Sequence, residues 1–113
     1  MHEVAIAEGL LDLVCEEAAR AAATRVRAIR LAVGPLAGVE PAALTQAFDV
    51  ASRRSIAEGA RIVLDAPAGR ATCMGCGADF EVLSRDQPCP TCARHRWLLT
   101  RGDELRLVEL EVD

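Results

Sequence analysis

Cys73-Met-Gly-Cys76-Gly-Ala-Asp-Phe-Glu-Val-Leu-Ser-Arg-Asp-Gln-Pro-Cys89-Pro-Thr-Cys92 carries two Cys-x-x-Cys pairs with twelve residues (77–88) between them. Each pair can wrap two thiolates around one ion, and two pairs complete a tetrahedron. Soft thiolates select zinc over magnesium or calcium, and four of them fill its shell, so an ion held here is structural rather than catalytic. Iron in the same cage, or a redox Cys-x-x-Cys, are the alternatives. The redox reading is weakened because neither pair opens a helix within a βαβ unit. Gly75 and Gly77 loosen the first knuckle and Pro90 stiffens the second. Residues 69–102 around them show little helical periodicity, and so short a segment draws its folding energy from the metal. They read as an inserted, zinc-ribbon-like subdomain.

Outside the insert the pattern changes. Residues 4–23 place Val4, Ala7, Leu10, Leu11, Val14 and Ala18 at helical spacing, with Gly9 as an interruption. In Val26-Arg-Ala-Ile-Arg-Leu-Ala-Val33 the alternation puts Ile29, Leu31 and Val33 on one face of a half-buried strand. Gly34-Pro35 ends that strand, and Glu40-Pro41 opens a second helix with Leu44, Ala47, Phe48 and Ala51 as its apolar stripe. Residues 61–66 form a short strand. Residues 104–112 form another, in which Val108, Leu110 and Val112 alternate with Glu109 and Glu111. The expected fold is α+β: two helices with a three-stranded sheet in residues 1–68 and 103–113, and the zinc-binding subdomain in 69–102.

Length and composition agree with one small domain carrying a satellite. The chain has 113 residues, 51% apolar, with Phe48, Phe80 and Trp97 as its aromatics. Its net charge of −4 argues against a general nucleic-acid or anionic-membrane binder. No apolar run approaches the roughly 20 residues of a membrane span. Glu3, Glu8 and Asp12 stand where a secretory leader needs a basic start and an apolar stretch. A cytoplasmic location is expected, and in that reducing setting clustered cysteines are metal ligands rather than disulfides. Cys15, inside a helical pattern, reads as a small buried hydrophobe.

The remaining chemistry lies at Met1-His2-Glu3. A histidine near a terminus is usually only solvated. Here, however, the imidazole of His2, its backbone nitrogen and the terminal amine can converge on one ion, with Glu3 adding a carboxylate or its amide nitrogen. Such nitrogen sets suit square-planar Ni(II) or Cu(II). No nucleophile is paired with a base, and no glycine loop cradles phosphate, so no enzyme is expected. Arg94, His95, Arg96 and Trp97 could serve a zinc-ribbon nucleic-acid or transcription accessory module. A zinc-shaped protein adaptor is a third reading. Asp79, Glu81, Asp86, Asp103 and Glu104 weigh against nucleic acid.

A Met-His-Glu start and paired Cys-x-x-Cys motifs inside an α+β body resemble the HypA/HybF family of nickel metallochaperones. Gly34-Pro-Leu-Ala-Gly-Val-Glu-Pro41, Ala57-Glu-Gly-Ala60 and Gly102-Asp-Glu-Leu105 resemble further family stretches, so the likeness runs from Met1 to Asp113. The resemblance implies delivery of nickel during NiFe hydrogenase maturation, and in some organisms to urease. It implies a nickel-handling GTPase and the hydrogenase large subunit as partners, with neither nucleic acid nor membrane. Carried over, Ni(II) as cargo falls to Met1, His2 and Glu3, with His2 indispensable. Structural Zn(II) falls to Cys73, Cys76, Cys89 and Cys92. Ala93 departs from the pattern, because the family often has glycine there. A left-handed turn at a non-glycine residue costs on the order of 1 kcal/mol.

Overall fold

The computed structural model describes residues 2–113; Met1, assigned to nickel above, lies outside the described residues. In chain order the elements are α1 (Glu3–Arg20), β1 (Val26–Val33), α2 (Pro41–Ala51), β2 (Arg61–Asp65), β3 (Gly69–Cys73), β4 (Asp79–Val82), β5 (Trp97–Arg101) and β6 (Leu105–Val112). They form two three-stranded sheets, ordered β2-β1-β6 and β4-β3-β5. The α+β architecture with a zinc-ribbon-like part is thus present. The chain also divides into two compact units. One holds the chain up to Leu31, Val39–Asp65 and Arg106–Asp113, and the other holds Ala32–Gly38 and Ala66–Leu105.

In the first unit α1 and α2 pack on one another, burying Ala7, Val14 and Ala18 from α1 and Leu44 and Phe48 from α2. Glu40 caps α2 by accepting from the Ala43 N–H at 2.6 Å, and Pro41 fills the first helical position as its fixed φ allows. Val4 is 61% exposed and does not belong to the buried stripe assigned to it. Cys15 is only half-buried. The helix runs through Gly9 unbroken and stops at Arg20, three residues before the sequence reading. Ala22 adopts φ 52°, and the N–H groups of Ala22 and Ala23 return to Ala19 O (3.0 Å) and Ala18 O (2.9 Å). That is a Schellman turn with alanine in the place usually taken by glycine, so the sequence showed no stop.

Strand β1 is central. Ala28, Ile29, Leu31, Ala32 and Val33 are all buried, not only the alternate residues. Within the first unit Arg30 reaches Asp65 of β2 (2.8 Å) and Glu109 of β6 (3.0 Å), tying three strands through one guanidinium. Strand β6 is mostly exposed. Val108 and Val112, expected to face the core, keep 41% and 36% of their surface, as befits an edge.

The second unit has its own apolar cluster of Leu36, Ala71, Cys73, Phe80, Val82 and Cys89. Leu36 comes from the turn after β1, outside any periodic stretch of the sequence. Its N–H donates to Gly102 O at 2.7 Å, and the Gly34 N–H to Glu104 O at 2.8 Å. A Cβ on Gly34 would fall 2.1 Å from Gly102 O, so the close passage of two backbones demands glycine there.

Candidate metal centres

Strand β3 delivers Cys73 at its end, and the chain then turns tightly back. The Gly77 N–H donates to Cys73 O (2.9 Å) and the Cys73 N–H to Ala78 O (2.8 Å). The second knuckle repeats the pattern: the Ala93 N–H donates to Cys89 O (2.8 Å) and the Cys89 N–H to Arg94 O (2.8 Å). Gly77 and Ala93 occupy the same step of each turn, with φ of 78° and 64°. The left-handed alanine expected from the sequence is there. A bond from the Met74 N–H to Arg96 O, 2.6 Å, joins the first knuckle to the segment after the second.

All four sulfurs lie within 4.8 Å of one another. Cys73 and Cys92 Sγ are 3.6 Å apart, and Cys76 and Cys89 Sγ 3.7 Å. A tetrahedron with Zn–S bonds of about 2.3 Å has S···S edges of about 3.8 Å, so the donor set fits a zinc ion. The electrostatics favour a cation as well. The Cys76 N–H, helped by that of Gly75 (3.4 and 3.3 Å), holds the Cys73 thiol down to about 6 against the burial that raises it. The Cys92 N–H, with that of Thr91, likewise lowers Cys89. Cys76 moves the other way, to about 11: the Ala78 N–H lowers it, but burial and the neighbouring thiols prevail. Thiols this close cannot all ionise unaided, and a divalent ion removes the obstacle.

Histidine takes no part in this cluster among the described residues. His95 packs on Trp97 at 5.4 Å between centroids, and its Nε2 is hydrogen-bonded to Arg85 O. Trp97 turns inward, edge-on to Phe80 at 6.2 Å, with Nε1 donating to Gln87 O at 2.7 Å. Its ring is therefore part of the unit's packing rather than an open platform for a base.

The amino-terminal candidates lie in the first unit. His2 is the residue before α1, exposed, and its side chain makes no capping bond; its carbonyl accepts from the Ile6 N–H at 3.0 Å. Glu3 is less open than the sequence suggested. Its Oε2 accepts from the Glu40 N–H at 3.3 Å, and so braces the residue that caps α2. No spacing rule links residues 3 and 40, so only the fold reveals this. The first N–H groups of a helix have no acceptor one turn earlier, so amide ligation there breaks no bond of the helical ladder.

Against known families, the model described as hydrogenase/urease nickel incorporation, metallochaperone, hypA matches residues 1–112. The chain belongs to the HypA family. It is 47% identical over 113 residues to hydrogenase maturation factor HypA of Azotobacter vinelandii, and 46% identical to that of Azotobacter chroococcum mcd 1, with all of both chains covered each time. The fold is that of the solution structure of the Ni metallochaperone HypA from Helicobacter pylori. The TM-score is 0.70 over 99% of this chain and 97% of that one, at 22% identity. A second solution structure of a HypA protein gives a TM-score of 0.69 at 24% identity. Among the described residues no helix is long and apolar enough to cross a membrane.

Proposed function

We propose that this chain carries Ni(II) at its amino terminus for NiFe hydrogenase maturation, with urease as a further recipient, and that Zn(II) in the four-thiol cage is structural. His2 is the indispensable nickel ligand. Met1 and Glu3 contribute backbone nitrogens, and the Glu3 carboxylate is the less suited donor because it already braces Glu40. The carrier works in the cytoplasm, hands its ion on rather than catalysing a reaction, and meets a nickel-handling GTPase and the hydrogenase large subunit. Residues 1–68 with 103–113 serve as the nickel-bearing body, and 69–102 as the zinc-bearing part.

One observation carries this reading: in a chain of a nickel-incorporation family, His2 stands exposed with an unengaged imidazole at an open helix start. Such a site of few ligands lets an ion enter and leave, whereas a closed shell of four thiolates does not. Nickel is not chosen by affinity, since copper binds nitrogen sites more tightly, so delivery depends on metal supply and on docking. A nucleic-acid role is disfavoured by the inward Trp97.

Calorimetric nickel titration of the wild type and His2→Ala tests the assignment. The variant should lose nickel binding while keeping its zinc, with stability changed by no more than about 0.5 kcal/mol, the usual scale for a surface residue. Undiminished nickel affinity in His2→Ala would remove the amino terminus from the account.

A further inference from the structure

Arg94 closes the second knuckle with its backbone, since Arg94 O accepts from the Cys89 N–H at 2.8 Å. Its side chain runs onto the first knuckle. A Cβ built on Gly75 would lie 3.1 Å from Arg94 Nη1, 3.3 Å from its Cδ and 3.6 Å from Cys73 Sγ. The arginine stem therefore crosses the bare face of Gly75 and brings the guanidinium beside the sulfur cluster. Gly75 is not among the residues with positive φ. What its missing side chain provides is the path of the arginine. Among the described residues the Arg94 guanidinium has neither an ion-pair nor a hydrogen-bond partner, although Arg27 and Arg30 are both paired with carboxylates.

A zinc ion in four thiolates carries two net negative charges, which the protein must offset or leave to water. An always-charged, planar and weakly hydrated guanidinium suits the flank of such a cage. We propose that Arg94 is the counter-charge of the thiolate cage, lying across Gly75 to stabilise the metal-loaded state and slow loss of the ion to competing ligands. Arg94 is here a positioning residue and not a ligand, and the assignment rests on the zinc reading above.

The test uses the full chain as wild type, Arg94→Gln and Arg94→Lys. Zinc content is measured first, and zinc release to an excess of an anionic chelator is then followed at low and high salt. Cobalt-substituted samples report cage geometry through their thiolate and ligand-field absorption. With one zinc per chain and matching cobalt spectra, Arg94→Gln should release zinc about tenfold faster, the lower end of effects from groups supporting metal ligands. Arg94→Lys should stay close to the wild type, and added salt should narrow the gap, because an exposed guanidinium is screened. Equal release by wild type and Arg94→Gln would overturn the proposal, and so would an Arg94→Lys no slower than Arg94→Gln. An altered cobalt spectrum in Arg94→Gln would also overturn it, by tracing the effect to cage shape. A wild-type chain that binds no zinc would instead bring down the zinc reading itself, and this inference with it.

Discussion

Ala93 holds φ 64° at the step where the first knuckle has Gly77 at φ 78°. The side chain of alanine crowds the neighbouring carbonyl in that region and glycine does not, a difference on the order of 1 kcal/mol. Ala93→Gly should therefore raise the stability of the zinc-loaded chain by up to about 1 kcal/mol, and Gly77→Ala should lower it by a similar amount. Denaturant titration at constant zinc reads both. The same conformation explains where the sequence was least legible. Ala22 and Arg54 also adopt positive φ, at 52° and 67°, just beyond the ends of α1 and α2. Helix ends are read from glycine, and where another residue bears the left-handed turn the periodicity runs on past the true stop. The clustering of the four cysteines, by contrast, was legible, because two Cys-x-x-Cys pairs can each turn two thiols toward one point.

At the scale of elements, α1 passes through Gly9 because tertiary packing outweighs local preference. Its buried Ala7, Val14 and Ala18 lie on either side of that residue. Gly9 itself is exposed, and a Cβ there would meet nothing within 4 Å. Gly9→Ala should accordingly stabilise the chain by about 0.5–1 kcal/mol, the ordinary helical difference between the two residues, measurable as a shift of the thermal midpoint. Strand β1 was placed correctly from its alternation, yet its burial was not. Alternation identifies a strand, but whether one face or both are covered depends on what packs above and below it, which the strand's own residues do not encode. The link from Glu3 to Glu40 was hidden for the same reason.

For the molecule as a whole, the apolar cluster of the second unit is small, and two of its six buried members are the thiols Cys73 and Cys89. On the zinc reading, a unit with so small a core should not survive loss of the ion. Cys73→Ser is expected to lose zinc and the amide-exchange protection of residues 69–102, while α1 and α2 remain protected. Equal collapse of protection in α1 would mean that the two units do not fold separately. That the four cysteines gather in one place was legible from their spacing. The recruitment of Leu36 to the second unit was not, since a turn residue gives no periodicity to read.

The chain passes between the two units at residues 31–32, 38–39, 65–66 and 105–106, so neither unit is one continuous stretch. A single scission in the exposed segment 83–86, between the two thiol pairs, would leave Cys73 and Cys76 on one fragment and Cys89 and Cys92 on the other. The fragments would still share the pairing of β3 with β5 and of β1 with β6. On the zinc reading, the ion would then become a clasp between two polypeptides. A nicked protein should run as one species in size-exclusion chromatography while it holds zinc, and once a chelator takes the metal only the pairing of β1 with β6 would be left to retain its carboxy-terminal fragment. Proteolytic damage at this site would thus stay silent until the cell ran short of zinc.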